Sequence, residues 1–105
     1  MKIVAVTACP TGIAHTYMAQ EAIEKECRNR GYEVKVETQG GIGIENVITE
    51  ADLTNTDYVV LTKEVAIKNE ERFKGKKIVR VKIADAVKKA EEIVKKLIEH
   101  HNSNN

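Results

Sequence analysis

Short apolar runs alternate with longer stretches of helical periodicity along this chain. Four runs predict β-strands: residues 2–7, 32–38, 57–62 and 77–81. Residues 14–30 carry apolar side chains at helical spacing, and Gly31 stands where a helix commonly ends. Residues 83 to about 99 form the clearest apolar stripe, which predicts one long helix packed on the sheet.

Shorter signals fill the connections between these elements. Thr49 and Asp52 have the spacing of a capping box and predict a short helix, while residues 39–43 predict a glycine-rich turn. We expect at most one helical turn near residues 70–73. The polar tail, from about residue 100 to residue 105, has no periodicity and is expected to fray.

Strands that alternate with helices predict an α/β fold with an open, parallel, Rossmann-like sheet flanked by helices. Four strands in this order fit the sheet order 2-1-3-4, in which the first strand is central and the second is an edge strand. Connections then diverge from the carboxyl end of the first strand, where open α/β sheets bind ligands. The whole chain, residues 1–105, is expected to form one domain.

Composition narrows the class of protein. Of 105 residues, 42% are hydrophobic and 31% are charged, and the formal net charge is +1, which gives no field to attract nucleic acid or an anionic membrane. The apolar runs are strand-sized and no signal sequence begins the chain, so we expect a cytoplasmic location.

Cys9 follows the first predicted strand and precedes the first predicted helix. Unpaired N–H groups and the helix dipole at such a position stabilise a thiolate and any phosphoryl group that it accepts. Pro10 stiffens the following turn. The predicted phosphate-binding residues are Thr11, Gly12, Ile13, Ala14, His15 and Thr16, whose backbone N–H groups can form an anion nest. His15 is equally well interpreted as a solvent-facing residue.

The remaining candidate residues favour structural interpretations. Cys27 lies on the apolar side of the first helix, roughly 20 Å along it from Cys9, so both thiols are expected to be free and Cys27 structural. His100 and His101 are expected to be solvated, since no third metal ligand is evident. The sequence thus predicts no metal site and no cofactor.

The segment from Ala8 to Ala19 resembles the active-site signature of the IIB component of fructose-type phosphotransferase systems. Residues 36–40, 51–57 and 72–76 are also similar to that family, so the resemblance covers residues 2 to about 80. It implies that Cys9 is a phosphocysteine carrier between the phosphohistidine of a IIA partner and a sugar, fructose or a related one, bound by a membrane-embedded IIC partner. The expected protein is a monomer in isolation that meets both partners in trans and associates peripherally with the membrane through IIC.

Two other interpretations stay open at the level of sequence. Low-molecular-weight tyrosine phosphatases also place a cysteine after the first strand, five residues before an Arg and a Ser or Thr. Here His15 and Thr16 follow Cys9 at that spacing, and histidine cannot replace the bidentate arginine. A thiol redox or binding module built on residues 9–12 is less favoured, because Gly12 removes the resolving thiol.

Overall fold

The computed structural model of the protein describes residues 1–9 and 13–103. Its elements in chain order are β1 (Lys2–Ala8), α1 (Ile13–Asn29), β2 (Glu33–Gly40), β3 (Gly43–Glu45), α2 (Glu50–Leu53), β4 (Tyr58–Thr62), a 3₁₀ turn (Glu70–Phe73), β5 (Ile78–Val81), α3 (Ile83–Lys88) and α4 (Ala90–Ser103). The predicted α/β class is confirmed.

One sheet contains the strands in the order β3-β2-β1-β4-β5. The four parallel strands β2, β1, β4 and β5 have the predicted order, with β1 in the centre. The predicted count of four was wrong, because β3 adds a short antiparallel strand that pairs with the end of β2. Gly43, with φ of 112°, allows the tight hairpin in which Gly40 pairs with Gly43. β3 therefore covers part of the edge that β2 was expected to expose.

Both faces of the sheet are covered. Ile3 and Ala5 of β1 face a core built with α1, α3 and α4, while Val4 and Val6 face a second core that contains Leu53 of α2 and Phe73. All the residues of β1 after Lys2 are buried. This explains the continuous apolar run of the first strand, since a central parallel strand buries both of its sides.

The C-terminal segment differs from the single helix that its periodicity predicts. The chain leaves helical geometry at Lys89, with φ of −128° and ψ of 29°, so that α3 and α4 are separate helices. Ala86, Ala90 and Val94 are nevertheless buried on one side, which is why the pattern looked continuous. The expected fraying is wrong for residues 100–103, because α4 continues to Ser103, and residues 104 and 105 lie outside the described part of the chain.

Local signals for the short elements are confirmed. Thr49 and Asp52 form a reciprocal capping box at the start of α2, in which the Thr49 side chain accepts from the Asp52 N–H and the Asp52 carboxylate accepts from the Thr49 N–H. The helical turn near residues 70–73 is a 3₁₀ turn. Within the described part of the chain, no helix has the length and apolar character needed to cross a membrane.

Candidate active site

Cys9 follows the last residue of β1, at the carboxyl end of the central strand, and its side chain is partly exposed. Its N–H donates to the Gln39 carbonyl on β2, with 3.4 Å between N and O. On the other side, the Thr62 hydroxyl of β4 accepts from the Ala8 N–H at 2.9 Å and donates to the Ala8 carbonyl at 3.3 Å. Contacts from both neighbouring strands therefore hold the residues that lead to the thiol.

Helix α1 begins at Ile13, four positions after Cys9. Two of the predicted phosphate-binding residues, Thr11 and Gly12, lie outside the described residues. Ala14 and His15 are exposed in the first turn, whereas Thr16 is buried. The Thr7 hydroxyl donates to the Thr16 carbonyl, with 3.1 Å between the oxygens, and so ties the start of α1 to β1. The first turn carries no acidic side chain that would repel an anion.

An open cleft of about 250 Å³ lies beside Cys9. Its walls come from the end of β1, the β2–β3 hairpin and the segment after β4, and its lining residues are Ala8, Cys9, Gln39, Gly40, Gly41, Gly43, Ile44, Val65, Ala66 and Lys68. These side chains are mostly small, and Lys68 is a cation among them. A phosphoryl donor can therefore approach the thiol without meeting a carboxylate from the cleft lining.

Behind the cleft lies a buried ion pair that the sequence did not predict. The guanidinium of Arg72 binds both carboxylate oxygens of Glu37, at 2.7 Å each. The Ile48 N–H donates to the same carboxylate at 2.9 Å, and the Gln39 amide donates to it at 2.8 Å. Burial opposes ionisation of Glu37, but the hydrogen bonds from Arg72, Gln39 and Ile48 outweigh it and hold the pKa of Glu37 below its ordinary value.

The alternation of residues 32–38 predicts a strand that is exposed enough on one side to carry charge, and Glu37, which lies on that side, is an exception. Its side chain is fully buried, whereas Glu33 on the same strand is exposed. Alternation alone placed the two on one face. The resemblance of segments 36–40 and 72–76 to one family was the available signal, because these segments contribute both partners of the pair.

The other candidate residues lie away from Cys9. Cys27 is buried in the core beneath α1, both cysteines are free, and burial raises the pKa of the Cys27 thiol to about 11. The prediction of a structural thiol agrees with this placement. His100, which was expected to be solvated, is exposed, and its Nδ1 also lies 2.6 Å from the Tyr58 hydroxyl. Among residues 1–9 and 13–103, no group of three potential metal ligands is brought together.

Comparison with known proteins gives one consistent family. The family model described as "PTS system, Lactose/Cellobiose specific IIB subunit" matches residues 4–96. The chain is 60% identical over 99 residues to the PTS system fructose-like EIIB component 2 of Escherichia coli K12, an alignment that covers 94% of this chain and 93% of the relative. It is also 41% identical to the fructose-like PTS system EIIBC component of the same organism, over 92% of this chain and 20% of that protein.

A solved structure supports the same assignment. The solution structure of the enzyme IIB subunit of the PTS system from Escherichia coli K12 superimposes with a TM-score of 0.92 at 38% identity, covering 98% of this chain and 95% of that one. The match to the family model extends over most of the chain, and the similarities in sequence and in fold cover nearly all of it. The protein therefore belongs to the IIB family of the sugar phosphotransferase system, PTS, and within that family to the fructose-like type.

Proposed function

We propose that Cys9 carries a phosphoryl group between a IIA phosphohistidine and a sugar. The observation that supports this most directly is the position of Cys9: it follows the last residue of the central strand, lines a cleft whose described lining residues include no carboxylate, and lies just before the N-terminus of α1. Backbone N–H groups and the helix dipole at such a place favour a bound phosphoryl group. The phosphate-binding role of residues 11–16 is part of the same proposal.

In the accepting step, the Cys9 thiolate attacks the phosphorus of the donor phosphohistidine. The S–P bond forms as the N–P bond breaks, and the donor imidazole leaves with the electron pair of that bond. Negative charge spreads over the phosphoryl oxygens in the transition state, so fixed N–H donors around residues 13–16 lower the barrier. This step requires no metal or cofactor from the IIB protein.

In the donating step, a sugar hydroxyl attacks the phosphorus of phosphocysteine. The S–P bond breaks, the thiolate re-forms, and the hydroxyl proton passes to a base on the partner that holds the sugar. A carrier must resist hydrolysis until that partner docks. His15 supports this, because it stands where a tyrosine phosphatase would place a bidentate arginine, and imidazole lacks that fork.

The proposed partners follow from the family. Relatives named EIIBC join a B and a C component in one chain, which supports a membrane-embedded IIC partner. A IIA protein is the proposed donor, and fructose or a related sugar is the proposed acceptor. In this proposal, residues 1–105 form one IIB-like phosphocarrier domain that is cytoplasmic and monomeric in isolation and that associates with the membrane through IIC.

The direct test of carrier function is a chase of isolated phosphoprotein. The protein is first phosphorylated by purified IIA and the phosphoenolpyruvate-driven relay that supplies IIA with phosphoryl groups. It is then separated from the donor and mixed with membranes that contain IIC, with or without sugar. We expect the phosphoryl group to remain on the protein without sugar and to appear as sugar phosphate when sugar is added. Release as inorganic phosphate at one rate in both mixtures would contradict the proposal and would favour a phosphatase.

A further inference from the structure

Gln39 joins the nucleophile to the opposite wall of the cleft. Its backbone carbonyl accepts from the Cys9 N–H. Its side-chain amide binds the backbone of Lys68 twice: Oε1 accepts from the Lys68 N–H at 2.9 Å, and Nε2 donates to the Lys68 carbonyl at 3.1 Å. Gln39 is itself buried, with 7% of its surface exposed. One residue thus spans the distance between Cys9 and the segment that includes Val65, Ala66 and Lys68.

The carboxylate of Glu37 fixes the orientation of the Gln39 amide. Nε2 also donates to Glu37 Oε2 at 2.8 Å. A flipped amide would place its oxygen against that carboxylate and would lose the donation to the Lys68 carbonyl. Glu37 cannot turn to adapt, because its side chain is 1% exposed and Arg72 binds both of its oxygens. The ion pair therefore leaves Gln39 one favourable orientation.

A buried ion pair contributes little net stability, because apolar side chains of similar size in its place often make a protein equally stable or more stable. Its clearest structural effect here is to orient an amide that holds the wall of the cleft. Gly40, the next residue of β2, lies against α1, because a Cβ built on it would be 3.8 Å from the Thr16 Oγ1. The end of β2 thus contacts the start of α1, Cys9 and the segment 65–68 on the opposite wall of the cleft.

We propose that Gln39 is a positioning residue for phosphoryl transfer at Cys9, with Glu37 and Arg72 fixing its amide. The inference deepens the proposed function and rests on it. Gln39 keeps the segment 65–68 at a fixed separation from Cys9, so that the donor phosphohistidine enters at one distance and angle. A displacement of about 1 Å at a reacting centre can slow transfer by about a hundredfold.

The test compares two glutamines that each bind a backbone carbonyl. Gln39→Met removes the hydrogen bonds of the side-chain amide while keeping the side chain at nearly constant size. Gln20→Met is the matched control, because Gln20 Nε2 donates to the Val36 carbonyl at 3.3 Å and Gln20 does not line the cleft. Rapid-quench rates of phosphoryl acceptance are measured against donor IIA concentration, at a temperature where urea unfolding shows both variants fully folded.

We expect Gln39→Met to lower the maximal rate of acceptance by about tenfold to a hundredfold. The IIA concentration that gives half of that rate should change little, and Gln20→Met should match the wild type in both quantities. A stability defect alone would not lower the rate of fully folded protein. Gln39→Asn keeps a neutral amide beside Glu37 but is one methylene too short to bind both the Lys68 backbone and Glu37, so it should also be slow, and it decides the question if Gln39→Met does not fold.

Wild-type rates in a folded Gln39 variant would overturn the inference. So would an effect confined to the half-saturating IIA concentration, because that result would make Gln39 a donor-binding residue. Failure of the proposed function gives a different result, since the wild-type protein itself would then accept no phosphoryl group.

Discussion

Replacing Arg72 with methionine should leave a buried carboxylate without its counter-ion. In the native protein the Arg72 guanidinium binds both oxygens of Glu37 at 2.7 Å, donates to the Ile48 carbonyl at 3.1 Å, and lies 4.6 Å from the centroid of the Phe73 ring. Methionine preserves most of the apolar stem and its packing. The variant therefore removes mainly the charge and the hydrogen bonds.

Breaking one side of a buried pair costs about 3–5 kcal/mol, because the remaining charge is buried without compensation. The pH dependence should change sign as well. In the wild type the pKa of Glu37 is lowered, so its contribution to stability is present above the unfolded-state pKa and is lost as pH falls through the folded-state pKa. In Arg72→Met burial dominates and raises the pKa of Glu37. The stability deficit should then shrink by up to about 1.4 kcal/mol for each pH unit between 7 and 5.

The assay is urea unfolding followed by far-UV circular dichroism at pH 7, 6 and 5. Arg80→Met is the matched control, because Arg80 also forms a bidentate pair, with Glu70, but both of those side chains are at least about one-third exposed. It should shift the unfolding midpoint far less. A deficit in Arg72→Met that is as small as the control's, or one that does not shrink toward pH 5, would refute this account of the buried pair.

Three further results are expected. Cys27→Ser should accept phosphoryl groups at the wild-type rate while losing about 1–3 kcal/mol of unfolding free energy, and loss of transfer in the folded variant would contradict the structural role of Cys27. In the folded wild-type protein Cys27 should resist alkylation at pH 8, because burial raises the pKa of its thiol to about 11. Thr49→Ala should cost about 1 kcal/mol in urea unfolding, through loss of the capping box of α2, and an unchanged midpoint would count against that cap. His15→Arg should speed hydrolysis of isolated phosphoprotein by about tenfold, because arginine supplies the bidentate hydrogen bonds to the phosphoryl oxygens that histidine lacks. An unchanged rate of hydrolysis would refute this role of the arginine.

The sequence was sufficient where one local pattern determined the structure. The apolar run of β1, the periodicity of α1 and the position of Cys9 between them predicted the centre of the fold and the place of Cys9, the proposed nucleophile, within it. The parallel order of four strands followed from alternation and short connections. These features depend on segments whose propensity agrees with their final environment.

Features that depend on pairing between distant residues were missed. β3, Gly43–Glu45, begins at the last residue of the predicted glycine-rich turn, and it is a strand because Thr38 pairs with Glu45 and Gly40 with Gly43. Glu37 looked like a surface residue because its partner Arg72 lies 35 positions away. At Lys89 the chain breaks its helix while the apolar stripe continues on both sides, so periodicity alone could not show the break.

The central claim is that one thiol, Cys9, carries the phosphoryl group. Wild-type, Cys9→Ser and Cys27→Ser proteins are each incubated with the phosphoenolpyruvate-driven relay and purified IIA, and their intact masses are measured. The account predicts a gain of one phosphoryl group in the wild type and in Cys27→Ser, and no gain in folded Cys9→Ser. Full phosphorylation of Cys9→Ser, or none of the wild type, would contradict it.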